Sequence, residues 1–134
     1  VCLCAPGSNI VCYAFAPAER AAPLPLSLLN TVNEAIHRRF SVEAGRRVYD
    51  QSFFVSRTTL SAGQYSPETV GEFLGRLGCA AGQYQSEGVF LLRSVLMNPW
   101  YGQAKLRGRY FLSELVEELY TAAAEEFGAA GRDE

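Results

Sequence analysis

The stretch G-V-F-L-L-R-S-V-L-M-N-P, at residues 88–99, is the most informative part of the sequence. Residues 89–97 are apolar on both alternating faces, which predicts a strand covered on both sides. Arg93 interrupts one of these faces. Because an unpaired buried charge is very costly, Arg93 needs an anionic partner. That partner is either an internal carboxylate, such as Glu87 or a helix glutamate, or an anion from outside the domain, such as a substrate carboxylate.

The rest of the chain predicts two more strands and three helices, in the order β-α-β-α-β-α. The strands are β-branched and aromatic runs at residues 9–16, where burial is expected, and 52–60. The helices have apolar residues at spacings of three and four. They are expected at residues 26–40, between a Ser66 cap and Gly78, and from residue 98 to about residue 127, with Gly108 able to divide the last one. Three strands are few for a parallel sheet, so we expect an α+β fold, a small and mainly antiparallel sheet with helices packed on one face.

Composition limits the functional classes. A length of 134 residues suits one domain, which we expect to span residues 1–134, with an ordered core at 9–127 and a frayed tail at 128–134. The net charge of −2 argues against a dedicated nucleic-acid binder. No apolar run is long enough to predict a transmembrane helix.

The reactive side chains are few. The single histidine, His37, and the single lysine, Lys105, lie in no recognisable catalytic motif, and G-x-S-x-G, H-E-x-x-H and Walker A motifs are absent. The four cysteines lack the C-x-x-C spacing of zinc or redox sites, so we expect reduced thiols in a cytoplasmic core. They are Cys2, Cys4, Cys12 and Cys79. Alone, the chain is not expected to hold a complete active site, and its start without methionine suggests part of a longer polypeptide.

Three segments carry a family resemblance. They are residues 88–99, the strand F-F-V-S-R-T-T-L at 53–60, and the opening strand N-I-V-C-Y-A-F at 9–15. Together they resemble the C-terminal small domain of the group II pyridoxal-phosphate-dependent amino-acid decarboxylases, which include glutamate, aromatic amino-acid and diaminobutyrate decarboxylases. The resemblance covers about residues 9–120, and the L-R-x-x-x-x-N-P motif is its most specific part.

The resemblance implies a C-terminal domain of aspartate-aminotransferase-like, fold type I enzymes, which folds over an active site. Arg93 matches the arginine that anchors the substrate α-carboxylate, and Arg57 and Asn98 are candidate neighbours. Arg57 lies near a strand end, however, so its long side chain is also expected to reach water. Pyridoxal phosphate is implied in the large domain, which is absent from this chain, and the parent is implied to be a homodimer. The segment at residues 61–87 is longer than the hairpin expected for the glutamate and aromatic enzymes, which leaves the substrate open.

Two functional interpretations follow. The first is the C-terminal portion of a pyridoxal-phosphate-dependent carboxy-lyase of amino-acid metabolism, which contributes carboxylate binding and active-site closure to a catalytic domain outside this chain. The second is a stand-alone, non-catalytic α+β module that senses a ligand or binds a partner through an exposed apolar face. The reading frame upstream of Val1 distinguishes the two, because only the first requires a cofactor domain there.

Overall fold

A computed structural model describes residues 7–19, 22–42 and 47–132. Cys2 and Cys4 lie outside the described residues. The strands are β1 (Ile10–Tyr13), β2 (Ser56–Leu60) and β3 (Val89–Val95). The helices are α1 (Leu26–Arg39), α2 (Pro67–Leu77), α3 (Tyr84–Glu87), α4 (Tyr101–Leu106) and α5 (Phe111–Ala130), with short 3₁₀ turns at Val48–Asp50 and Ala81–Gln83. None of the helices in these ranges is long and apolar enough to cross a membrane.

The central strand of the sheet is β3. The strand order is β1-β3-β2, and both pairings are antiparallel. Arg93 lies opposite Cys12 of β1 on one side and opposite Ser56 of β2 on the other. A small antiparallel sheet combined with helices confirms the α+β class.

Helices cover both faces of β3, although the prediction placed them on one. Val89 and Leu91 point to one face and belong to a buried cluster with the start of α1, α2 and Tyr84 of α3. Phe90 and Leu92 point to the other face and belong to a cluster with the second half of α1 and with α5. The sequence had predicted that this strand is covered on both sides, and the physical reason is the same. Both faces of β3 are apolar, so burial of each face from water stabilises the fold.

Strand β1 is shorter and more exposed than the sequence predicted. It ends at Tyr13 instead of residue 16, the side chain of Ile10 is 46% exposed, and Cys12 is an exposed free thiol rather than a core residue. An edge strand has only one strand neighbour, so its β-branched and aromatic pattern does not guarantee burial. Beyond Tyr13 the main chain of Phe15 hydrogen-bonds to the Asn33 side chain of α1 and leaves the sheet.

The other two strands are also shorter than predicted. β2 begins at Ser56 rather than residue 52, because the preceding residue, Val55, donates its main-chain N–H to the Phe40 carbonyl beyond α1 at 3.0 Å. β3 ends at Val95 rather than residue 97, and the Met97 side chain is exposed. The part of β3 covered on both faces is therefore its first half.

The helices follow the sequence closely. α1 matches its prediction within one residue, and α2 begins at a Ser66 cap that accepts from the Thr69 N–H and ends at Gly78 with φ 67°. The predicted last helix divides into α4 and α5 at Gly108, where φ is 76°. α5 continues to Ala130, so residues 128–130 of the expected frayed tail are helical.

Candidate functional site

Arg93 is half-buried towards the end of β3 and is held by the neighbouring strand. Its Nε donates a hydrogen bond to the Ser56 Oγ at 3.0 Å, and the Ser56 hydroxyl donates to the Arg93 carbonyl oxygen at 2.9 Å. Within residues 7–19, 22–42 and 47–132, no carboxylate lies within ion-pair distance of Arg93. The internal partner considered from the sequence, Glu87 or a helix glutamate, is therefore not found in this part of the chain.

The face of the sheet around Arg93 is open and largely apolar. Because side chains alternate along a strand, Ile10 and Cys12 of β1 and Val95 of β3 share this face with Arg93. Cys12 is exposed, and Ile10 and Val95 are 46% and 41% exposed. The Nη1 and Nη2 groups of Arg93 have no hydrogen-bond partner among the described residues, so they are available to an anion from outside the domain.

Arg57 lies on the opposite face of the sheet. It pairs with Leu92, one position from the Ser56–Arg93 pair, and this offset turns its side chain away from Arg93. Its guanidinium carbon lies 5.9 Å from the centroid of the Phe90 ring. The side chain is exposed, in agreement with the expectation that Arg57 reaches water. The structure therefore does not bring Arg57 and Arg93 together.

His37 lies beside Arg57 on that second face. Its ring meets the Phe90 ring edge to face, with 5.9 Å between the centroids. Burial, and then the positive charge of Arg57, lower the pKa of His37, while Glu34 opposes this shift. His37 is therefore a packing residue of α1 that resists protonation.

Asn98 forms a turn and makes no described hydrogen bond with Arg93. It is exposed, and its Oδ1 accepts from the main-chain N–H of Trp100 at 2.9 Å just before α4. Asn98 and Met97 border a cavity of about 550 Å³ between the end of β3 and α5. The prediction that the last helix starts at Asn98 is wrong: α4 begins three residues later, at Tyr101, with Trp100 as its N-cap, and Asn98 belongs to the turn before it.

The comparison with known families settles which kind of domain carries this arginine. A family model described as "Tyrosine decarboxylase, C-terminal" matches residues 1–121. The chain belongs to the tyrosine decarboxylase C-terminal family. This membership makes it a C-terminal domain of an amino-acid decarboxylase, a lyase, as the resemblance over residues 9–120 implied. A search of curated proteins finds no match to the chain.

The described residues of this tyrosine decarboxylase C-terminal domain do not fit a pyridoxal phosphate site. Lys105, the only lysine of the sequence, is exposed on α4, whereas a lysine that forms an imine is normally activated by desolvation or a neighbouring cation in a pocket. The His37 ring packs against Phe90 within the domain. In the part of the chain that the structure describes, no group of three or more histidine, cysteine or acidic side chains is placed to hold a metal ion.

Sequence reasoning missed one residue of the decarboxylase domain that the geometry brings to Arg93. Ser56 is a small polar residue in a β-strand, and nothing in its local pattern distinguishes it from Thr58 or Thr59. Only the β2–β3 register, which pairs Ser56 with Arg93, gives it a role. Register follows from tertiary packing, so no signal within the strand itself was sufficient.

Proposed function

We propose that Arg93 anchors the α-carboxylate of an amino-acid substrate in a group II, pyridoxal-phosphate-dependent decarboxylase. The observation that carries the proposal is the environment of the Arg93 guanidinium. Its Nη groups have no partner among the described residues, and none of the described carboxylates lies within ion-pair distance. The sheet face around it is apolar and exposed. The family match supports tyrosine, or a closely related aromatic amino acid, as the substrate class.

The role of Arg93 is orientation of the leaving group. A guanidinium can hold a carboxylate through two parallel hydrogen bonds, which fixes its plane as well as its position. The carboxylate departs as neutral CO₂, so an ion pair that bound it too tightly would stabilise the ground state and slow the reaction. A half-buried, partly hydrated arginine suits this requirement better than a fully desolvated one.

The surroundings of Arg93 are proposed to close the active site. Ile10, Cys12 and Val95 would be covered by the large domain, which would hold the pyridoxal phosphate and the reactive lysine that this chain does not provide. The exposed apolar side chains on this face support such a contact. In keeping with the family resemblance and the exposed free thiol of Cys12, we propose a cytoplasmic homodimer as the parent enzyme.

The proposal is tested by substitution of Arg93 in the full-length enzyme. Loss of a charged, paired hydrogen-bond donor is worth about 1.5–3 kcal/mol, so Arg93→Ala is expected to lower kcat/KM by roughly 10- to 100-fold. Bound cofactor, measured by its absorbance, is expected to stay near the wild-type level. Arg38→Ala, which removes an exposed arginine from the last turn of α1, serves as the control and is expected to have little effect. Unchanged turnover of the amino acid by Arg93→Ala would reject the proposal.

A further inference from the structure

We infer that Ser56 is a positioning residue that fixes the Arg93 guanidinium for the substrate carboxylate. The inference rests on the proposed function of Arg93 and deepens it. Ser56 touches Arg93 twice: it accepts from Nε at 3.0 Å and donates to the main-chain carbonyl of the same residue at 2.9 Å. A single hydroxyl therefore links the side chain of Arg93 to its own backbone.

In this double contact the Ser56 hydroxyl acts as both a hydrogen-bond donor and an acceptor. A serine hydroxyl has one hydrogen to donate, and here that hydrogen goes to the Arg93 carbonyl, which leaves the oxygen lone pairs facing Nε. The contact depends on the β2–β3 register, which places the two residues directly opposite each other. An arginine side chain samples many rotamers in water, and the link to Ser56 selects those in which Nε points towards β2.

The geometry also selects the edge of the guanidinium that meets the ligand. With Nε engaged by Ser56, the Nη1 and Nη2 end is the part of Arg93 without a described protein partner. A carboxylate can accept two parallel hydrogen bonds from that end. We therefore expect end-on binding of the carboxylate by Nη1 and Nη2, rather than side-on binding through Nε.

The test uses the full-length enzyme with Ser56→Ala, Ser56→Thr and a matched control, Thr58→Val. Thr58 lies on the same strand and the same face as Ser56, and the structure gives its hydroxyl no bond to Arg93. Removal of a hydrogen bond of ordinary strength predicts a KM for the amino acid raised about 3- to 10-fold in Ser56→Ala. Ser56→Thr, which keeps a hydroxyl, is expected to recover most of the loss, and Thr58→Val to leave KM unchanged.

A second readout separates positioning from a general loss of structure. The amine product lacks the carboxylate, so its inhibition constant is expected to be the same in Ser56→Ala as in wild type. An equal weakening of amine and amino acid would overturn the inference. In the Arg93→Ala background, Ser56→Ala is expected to add nothing further, because the group it positions is gone.

The outcomes also distinguish the positioning role of Ser56 from the proposed carboxylate-anchoring role of Arg93. If Arg93→Ala weakens the handling of the amino acid and Ser56→Ala leaves KM unchanged, Arg93 keeps its role and Ser56 loses its own. If Arg93→Ala itself has no effect, the proposed function fails, and the positioning role of Ser56 fails with it.

Discussion

Asn33 is a fully buried polar residue within the apolar stripe of α1, and its replacement tests how the edge of the sheet is held. Its side chain has no exposed surface. Oδ1 accepts from the Phe15 N–H at 2.8 Å, and Nδ2 donates to the carbonyls of Phe15 and Leu29, both at 2.9 Å. These bonds satisfy the main chain of Phe15 where it leaves β1 and has no strand neighbour to pair with.

Asn33→Ala is expected to destabilise the domain by about 3 kcal/mol. Each neutral hydrogen bond contributes about 1 kcal/mol net, and the substitution removes three of them. Two effects of opposite sign adjust this sum. Phe15 is half-buried, so water reaches part of its freed main chain, whereas the cavity left by the amide adds to the loss. We take roughly 2–4 kcal/mol as the expected range.

Urea unfolding of this chain, followed by far-UV circular dichroism, measures the effect. With an m value near 2 kcal/mol per molar urea, the unfolding midpoint is expected to fall by about 1.5 M. Glu34→Ala is the control, because Glu34 is exposed on the same turn of α1 and its replacement is expected to stay within about 0.5 kcal/mol. A loss below about 1 kcal/mol for Asn33→Ala would refute the reasoning that these bonds hold the chain beyond β1.

Two further predictions concern His37 and Gly88. Burial and the Arg57 charge lower the pKa of His37, so its titration by NMR should have a midpoint below 6.5, and Arg57→Gln should raise that midpoint. Because the unfolded chain then binds the proton more readily, the free energy of unfolding should fall as the pH drops below 6.5. A wild-type midpoint above 6.5 would contradict this reasoning. Gly88 has φ 67°, and an added Cβ would lie 2.9 Å from the Leu60 carbonyl oxygen, so Gly88→Ala is expected to cost at least about 2 kcal/mol in urea unfolding. Gly71→Ala, in the interior of α2 with open space around it, is expected to be stabilising by about 0.5–1 kcal/mol, and equal losses at both glycines would show that the conformation of Gly88 is not the cause.

The helical part of the fold was predictable because its signals are local. The stripe of Leu26, Leu29, Val32, Ile36 and Phe40 recurs at helical spacing, and all five side chains are buried. Ser66 and Gly78 mark the ends of α2 by capping chemistry that depends only on nearby backbone. Gly108 divides the last helix for a similarly local reason, its positive φ.

The parts that were missed depend on which elements meet in space. The pattern of β1 does not say that it lies at an edge, so its exposure was not foreseen. Asn33 looks like an interruption of an apolar stripe until the carbonyl and N–H of Phe15 are placed beside it. Arg57 and Arg93 both follow apolar residues on a strand face, and only the β2–β3 register shows that they face opposite sides of the sheet.

Arg93 could be identified as a candidate from the sequence, because a buried charge in a strand with two apolar faces is costly unless it is paired. The sequence left two partners open, an internal carboxylate and an external anion. The structure removes Glu87 from the first class, since no ion pair joins it to Arg93. We propose the external anion, the carboxylate of the substrate, as the partner of Arg93 in the assembled enzyme.

The most direct test of the central claim is a crystal structure of the full-length decarboxylase with a non-reactive analogue that keeps the substrate α-carboxylate. Our account predicts the Arg93 Nη atoms about 2.7–2.9 Å from the carboxylate oxygens, the range of charge-assisted hydrogen bonds. A carboxylate bound by other residues, with the Arg93 guanidinium more than about 4 Å away, would contradict it.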